Sequence, residues 1–184
     1  MALRDAILAA LTKGEYSGYD LAKAFDVTVA NFWTATPQQL YRELDRMHQD
    51  GLIVARTVEQ EKRPNKRTYT LTAAGRAALG EFVVSTPKPI AIRDELLVQV
   101  EAMTAESVPA VRDSVARKLE VSQAKLRRYE DRREYLLAGR TEHRFLVEAD
   151  ENLGSYLTLA RGIAFEQENV RWCELVLDAL PERD

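Results

Sequence analysis

The side chains best suited to specific recognition chemistry lie in residues 36–51, where Gln38, Arg42, Asp45 and Gln49 recur at helical spacing. On a helix, intervals of three and four residues place them on one face. Gln and Arg can make bidentate hydrogen bonds to adenine and guanine edges in a major groove. Since any amphipathic helix also presents polar residues to water, an ordinary solvated surface remains an alternative.

A second chemical feature is a cluster of basic residues farther along the chain, comprising Lys62, Arg63, Lys66 and Arg67. It joins two β-branched segments, 52–58 and 67–71, and its Pro64-Asn65 pair favours a turn. The pattern predicts a hairpin with a basic tip. A basic turn alone is usually only solvated, but a groove-reading helix followed by a hairpin that contacts flanking phosphates is typical of DNA-binding proteins.

Other kinds of site find little support in the sequence. Two His and one Cys cannot build a metal site with several His or Cys ligands. Cys173 has no neighbouring His or Gly-rich turn, which favours a structural thiol over a nucleophile. No Gly-rich phosphate-binding loop occurs. We therefore expect no enzymatic activity, no metal and no cofactor.

Composition narrows the class of protein. The net charge of −3 divides unevenly: residues 1–86 hold 11 Lys/Arg against 10 Asp/Glu, and residues 87–184 hold 15 against 19, or +1 against −4. The overall acidity favours an alternative function, a helical protein-interaction adaptor without DNA binding. No apolar run approaches the roughly 20 residues of a membrane span, and the N-terminus lacks a signal-peptide pattern. We expect a cytoplasmic protein with no membrane partner.

Local signals define the elements that position the candidate residues. Thr36 and Gln39 form a predicted capping box, Pro37 suits the first helical position, and Gly51 suits the end of the helix. Apolar residues recur on the opposite side of this helix, at Leu40, Leu44 and Met47. An amphipathic stripe over residues 3–11, a capping signature at Ser17–Asp20 and a second cap at Thr72 predict three more short helices.

The second half of the chain reads as long helices. A short helix is predicted over residues 93–103, followed by one long pattern from about Pro109 to Gly139 and another from about Glu142 to Leu180, each above 30 residues. The second pattern has these predicted inward residues: Leu153, Tyr156, Leu157, Ala160, Ile163, Ala164, Val170, Leu175 and Leu177. A two-helix hairpin leaves part of its apolar surface uncovered. A second copy of the chain is the predicted cover, with the chain's own first half as the alternative.

These elements predict a mainly α fold in two domains. Residues 1–86 form a winged helix-turn-helix domain with a small β-hairpin, and residues 87–184 form a long antiparallel two-helix domain. A symmetric homodimer suits the first domain, because two reading helices then meet half-sites one DNA turn apart.

With these elements and motifs, the chain resembles the PadR family of bacterial transcriptional regulators. The matching motifs span about residues 3–80 and are Gly18-Tyr19-Asp20-Leu21, Phe32-Trp33, Gln39-Leu40-Tyr41 with Leu44, Asp50-Gly51-Leu52-Ile53, and Lys66 to Gly75. Arg93 to Leu97 looks like the connector helix of members with a two-helix dimerisation domain. The resemblance implies a dimeric binder of a double-stranded DNA operator, commonly a repressor, often released by a small molecule.

The resemblance also assigns residues. Family DNA contacts carry over onto Tyr19, Thr36, Gln38, Gln39, Tyr41, Arg63 and Lys66, and the predicted helix face adds Arg42. Members often carry Gly in the first turn of the reading helix and Pro after its Tyr. Gln38 and Arg42 take roughly those places here, which bears on the operator sequence rather than the fold.

An effector site is a further implication of the resemblance. Trp33 lies near the junction that the family uses for effector pockets, and Trp172 lies on the last predicted helix. An aromatic or drug-like small molecule would suit such side chains. The alternative is that both tryptophans are packing residues, because large aromatics mainly supply buried area.

Overall fold

The computed structural model describes residues 2–24, 35–59, 65–87, 93–148 and 151–180, in two compact units, Met1–Lys88 and Pro89–Asp184. The elements of the first unit are α1 Ala2–Leu11, β1 Tyr16–Ser17, α2 Gly18–Ala24, α3 Pro37–Gln49, β2 Ile53–Val58, β3 Lys66–Leu71 and α4 Ala73–Val83. Those of the second are α5 Glu95–Glu101, α6 Val108–Leu137, α7 Glu142–Glu148 and α8 Leu153–Ala179. The predicted fold class, mainly α with a small β-hairpin, is confirmed.

The sheet is antiparallel with the strand order β1-β3-β2. The predicted hairpin is confirmed, and its ladder runs from the pair Ile53–Leu71 to the pair Val58–Lys66. We call β2, β3 and the residues between them the wing. The two-residue strand β1 was not predicted, because two residues show no alternation. Only its pairing with β3 defines it as a strand.

The first unit has one apolar core, to which α1, α2, α3 and the sheet all contribute. The predicted inward residues of α3, namely Leu40, Leu44 and Met47, are all buried. The other members are Ile7, Leu8, Leu11, Leu21, Ile53, Tyr69 and Leu71. Burying this many large apolar side chains supplies the main stabilisation of the unit and holds α3 against the sheet.

A tight backbone contact joins α4 to the start of the wing. Thr72 caps α4 by accepting the N–H of Gly75 at 3.0 Å, and its own N–H and hydroxyl donate to the carbonyl of Leu52 at 3.1 and 2.9 Å. The first turn of α4 comes so close that a Cβ on Gly75 would lie 2.1 Å from the Leu52 carbonyl oxygen. The absence of a side chain at Gly75 therefore permits this packing.

In the second unit α6 and α8 lie antiparallel. Three polar contacts follow the two helices in opposite directions: Arg112 donates to the Leu180 carbonyl at 2.7 Å, Lys125 pairs with Glu166 at 3.3 Å, and Arg133 donates to the Tyr156 hydroxyl at 3.3 Å. Apolar clusters lie at each end of the pair. One is formed by Tyr129, Leu136, Phe145, Tyr156, Leu159 and Ile163, and the other by Val111, Val115, Cys173 and Leu180.

The prediction of a second continuous helix from Glu142 to Leu180 is wrong. The chain forms α7 and then, after a turn that includes Glu151 and Asn152, α8. In one helix, Phe145 and Tyr156 would lie about 16 Å apart along the axis. The turn instead brings their ring centroids to 4.9 Å, with Phe145 fully buried. The first long pattern, from about Pro109 to Gly139, agrees with α6 to within two residues, whereas α8 has only 27 residues.

The inward face predicted for the last helix is also partly wrong. Leu157 and Leu175 are 53% and 66% exposed, and Ala164 is exposed. The side of α8 that meets α6 is instead marked by Tyr156, Leu159, Ile163, Glu166 and Cys173. Because α8 carries apolar residues on two sides, helical periodicity could not tell which side faces α6. We call Leu157, Ala164 and Leu175 the outer stripe of α8.

Candidate nucleic-acid interface

The beginning of α3 is held by the predicted capping box. The Thr36 hydroxyl accepts the Gln39 N–H at 3.2 Å, and the Gln39 carboxamide oxygen accepts the Thr36 N–H at 2.9 Å. Pro37 occupies the first helical position. The candidates Thr36 and Gln39 are therefore engaged in the cap, although the carboxamide nitrogen of Gln39 is a donor that the cap does not use.

The predicted outer face of α3 is exposed. Gln38, Arg42, Asp45 and Gln49 all lie on the surface, opposite the buried stripe of the same helix. The cap fixes the first turn of α3, and the buried stripe packs its opposite side against the core. The exposed side chains therefore project from a helix whose position is fixed. The face offers the donors and acceptors that major-groove base edges require.

Two exposed tyrosines lie where α2 meets α3. Tyr19 is 72% exposed and Tyr41 is 44% exposed. The ring of Tyr41 lies against Gly18, so closely that a Cβ on Gly18 would stand 2.3 Å from its Cε1 atom. Gly18 at the start of α2 thus permits the close approach of the Tyr41 ring, while the neighbouring Tyr19 is exposed.

The wing is tied to α2 by an ion pair. The ammonium group of Lys66 lies 2.7 Å from an Asp20 carboxylate oxygen, which also accepts the Ser17 hydroxyl at 2.8 Å. Ser17 in turn accepts the Asp20 N–H at 3.1 Å, which confirms the predicted cap of α2. The hydrogen bonds from Lys66 and Ser17 hold the pKa of Asp20 below its usual range. Lys66, the predicted phosphate contact, therefore has an internal partner.

A second ion pair ties the wing to the reading face of α3. Arg67 donates to Asp45 at 2.9 Å, and its guanidinium carbon lies 5.4 Å from the ring centroid of Tyr69. Burial raises the pKa of Tyr69, whose ring belongs to the core. Arg67 is thus held between a core aromatic ring and a carboxylate of α3.

The sequence analysis placed Arg67 in the basic hairpin tip, Asp45 on the outer face of α3 and Asp20 in the cap of α2, but it predicted neither ion pair. One signal was available: adjacent residues of a strand point to opposite sides, so Lys66 and Arg67 had to face different neighbours. Which carboxylates meet them depends on tertiary packing, because 22 residues separate Asp45 from Arg67.

Three candidate residues remain. Trp33 and Arg63 lie outside the described residues. Trp172 is half-buried in the second unit and packs against the cluster that includes Val115 and Cys173. Burial raises the pKa of the Cys173 thiol, as expected for a structural cysteine rather than a nucleophile.

Within the described parts of the chain, no three or more His, Cys, Asp or Glu side chains are grouped as a metal site would require. In those same ranges, no helix combines the length and apolarity needed to cross a membrane.

Family models match both halves of the chain. The model of the "Transcriptional regulator PadR-like family" matches residues 7–81, and that of the "Virulence activator alpha C-term" family matches residues 92–181. The negative transcriptional regulator PadR of Bacillus subtilis (strain 168) is 32% identical over 183 residues, covering 99% of this chain and 98% of that protein.

Solved structures of Bacillus subtilis PadR are similar to this chain over nearly its whole length. The complex with operator DNA has a TM-score of 0.76 and 30% identity, covering 98% of both chains. The complex with p-coumaric acid has a TM-score of 0.68 and 30% identity, covering 99% of this chain and all of that one. The chain belongs to the PadR family of transcriptional regulators.

Proposed function

We propose that this regulator binds a specific DNA operator as a homodimer, with residues 1–86 reading DNA and residues 87–184 forming the dimer. The observation that carries the proposal is the capped helix α3, whose exposed face presents Gln38 and Arg42 beside Tyr41. The operator complex of Bacillus subtilis PadR supports this reading, because that chain shares the fold along its whole length.

The proposed contacts divide between helix and wing. Gln38, Gln39 and Arg42 read base edges in the major groove. Tyr19, Thr36 and Tyr41 flank them and contact the DNA backbone, and Arg63 and Lys66 contact phosphates from the wing. Lys66 can do so while paired with Asp20, because an ammonium group has three donors.

The test is binding to duplex DNA as salt is varied. We expect the wild-type protein to bind a labelled random-sequence duplex, and to lose about a thousandfold in affinity between 50 and 200 mM salt if about six phosphates are neutralised. Fluorescence anisotropy measures both quantities. A helical adaptor without DNA binding would leave the anisotropy unchanged at every salt concentration, which would reject the proposal.

Dimerisation is supported by the outer stripe of α8. Leu157, Ala164 and Leu175 follow one another at intervals of seven and eleven residues, which keeps them on one side of a helix. Exposed apolar residues in such a line are the kind of surface that a second copy covers in a two-fold dimer. A bundle of four helices would then complete the core that two long helices leave open.

The homodimer has a direct measurement. Light scattering should give about twice the chain mass of 20.9 kDa. The Leu175→Asp variant should shift the protein towards monomer, because a charge would be buried without a partner. Val54→Asp, which places the same charge on an exposed residue of the first unit, should leave the mass unchanged. A wild-type monomer that binds its operator tightly would contradict the proposal.

We further propose repression that an aromatic small molecule relieves. Support comes from Bacillus subtilis PadR, which is a negative transcriptional regulator and whose structure is known in complex with p-coumaric acid. Trp33 and Trp172 are the proposed contacts. Added p-coumaric acid should quench tryptophan fluorescence and release the operator together, whereas quenching with unchanged DNA affinity would contradict the link. We place the protein in the cytoplasm with its DNA target and assign it no catalytic step.

A further inference from the structure

Asp45 is an unexpected residue on a surface that reads DNA. It is exposed, and it lies on the same face of α3 as Gln38 and Arg42. A carboxylate in that place repels phosphate, so an uncompensated Asp45 would weaken binding to every sequence. The structure places Arg67 2.9 Å away, which neutralises the charge.

The Asp45–Arg67 contact also restrains Arg67. Its guanidinium group lies over the ring of Tyr69, and its Nη1 donates to Asp45. Both side chains of the pair are about half exposed, at 57% for Asp45 and 45% for Arg67. Pairs this exposed contribute little to folding. The consequence of the contact lies in where it keeps a cation, since an arginine bound to an internal carboxylate is less available to a phosphate.

We propose that Asp45 is a specificity-determining positioning residue, which holds Arg67 against α3 and so suppresses sequence-independent binding to DNA phosphates. The inference rests on the proposed function. Specificity is the difference between the binding free energies for the operator and for other DNA. It rises when operator contacts improve, and it also rises when binding to other DNA is weakened. Weakening the binding to other DNA is the first task, and improving operator contacts is the second. Asp45 performs the first of these tasks, while Gln38 and Arg42 perform the second.

The proposal makes a quantitative statement about salt. Freeing Arg67 adds one cation that can neutralise one phosphate, which steepens the dependence of log affinity on log salt by about 0.9. The gain of an Asp45→Asn variant over wild type on random DNA should therefore grow about threefold to fourfold as salt falls from about 200 to 50 mM. Its preference for a specific sequence should fall by the factor by which its affinity for random DNA rises relative to its affinity for the operator.

The experiment uses the full chain and two probes: a random-sequence duplex, and the duplex that the wild-type protein enriches from a randomised library. Asp45→Asn is compared with Asp50→Asn, which removes the same charge at the end of α3. Asp50 faces Arg46 at the looser distance of 3.8 Å, so this control releases no tightly held cation. Thermal melting verifies that each variant is folded.

The decisive arm repeats Asp45→Asn in an Arg67→Gln background. If Arg67 is the released cation, the substitution should steepen the salt dependence on random DNA only when Arg67 is present, and Asp50→Asn should not steepen it. Equal steepening in Asp50→Asn or in the Arg67→Gln background would indicate a general charge effect and overturn the inference.

Other outcomes are equally clear. Loss of preference at a single cytosine with an unchanged salt slope would show that Asp45 reads a base directly, and would overturn the inference. A wild-type protein that binds with the same slope as all variants would overturn it too, while leaving the proposed function standing. Failure of the wild-type protein to bind either duplex would reject the proposed function and this inference together.

Discussion

The Gly75→Ala variant should lose about 3 kcal/mol of stability. A Cβ at this position would lie 2.1 Å from the Leu52 carbonyl oxygen and 3.1 Å from its carbonyl carbon. Backbone atoms cannot rotate away as the end of a side chain can, so α4 or the backbone at Leu52 must shift. The Leu52 carbonyl also accepts from Thr72, and a shift would strain that contact as well.

The measurement is urea unfolding followed by circular dichroism, and the same helix supplies a matched control. A Cβ on Gly80 would meet nothing within 4 Å. Gly80→Ala should therefore stabilise α4 by about 0.5–1 kcal/mol, as Gly-to-Ala changes in helix interiors do. If both variants unfolded at the same urea concentration, the close approach of α4 to Leu52 would not be the reason for Gly75.

The second large effect is expected at the reading face. Gln38→Ala and Arg42→Ala should each cost about 1–3 kcal/mol at the operator and relax the sequence preference at one position. The physical reason is the loss of bidentate hydrogen bonds to a base edge of the operator. Most random sequences lack the matching base, so affinity for random DNA should change less. Affinities for the selected operator and for random duplex, measured at several salt concentrations, separate this loss from a general one.

A control lies on the same face. Gln49→Ala removes the same side chain as Gln38→Ala, about 16 Å farther along α3, and the N-terminal residues of a reading helix are the ones that contact bases. It should change operator affinity little. Lys66→Ala should instead weaken binding to all duplexes and make the salt slope shallower by about one. If Lys66→Ala alone relaxed the sequence preference, α3 would not be the reading helix.

Local signals in the sequence determined much of the first unit. The predicted box of Thr36 and Gln39 caps α3 as expected, and Leu40, Leu44 and Met47 form its buried side. The predicted hairpin agrees with β2 and β3 to within one residue at each start. These features depend on residues a few positions apart, so their cause is contained in a short stretch of chain. The exposed face with Gln38 and Arg42 follows from them.

Tertiary structure decided what depends on distant residues. The strand β1 is defined only by its pairing with β3, and the turn before α8 is coupled to the packing of Phe145 on Tyr156, 11 residues away. Packing also decided which apolar side of α8 faces α6, because the sequence places apolar residues on two sides of this helix. The contact between Asp45 and Arg67 belongs to the same class: each residue is an ordinary surface charge in the sequence, and only folding brings their charges to 2.9 Å.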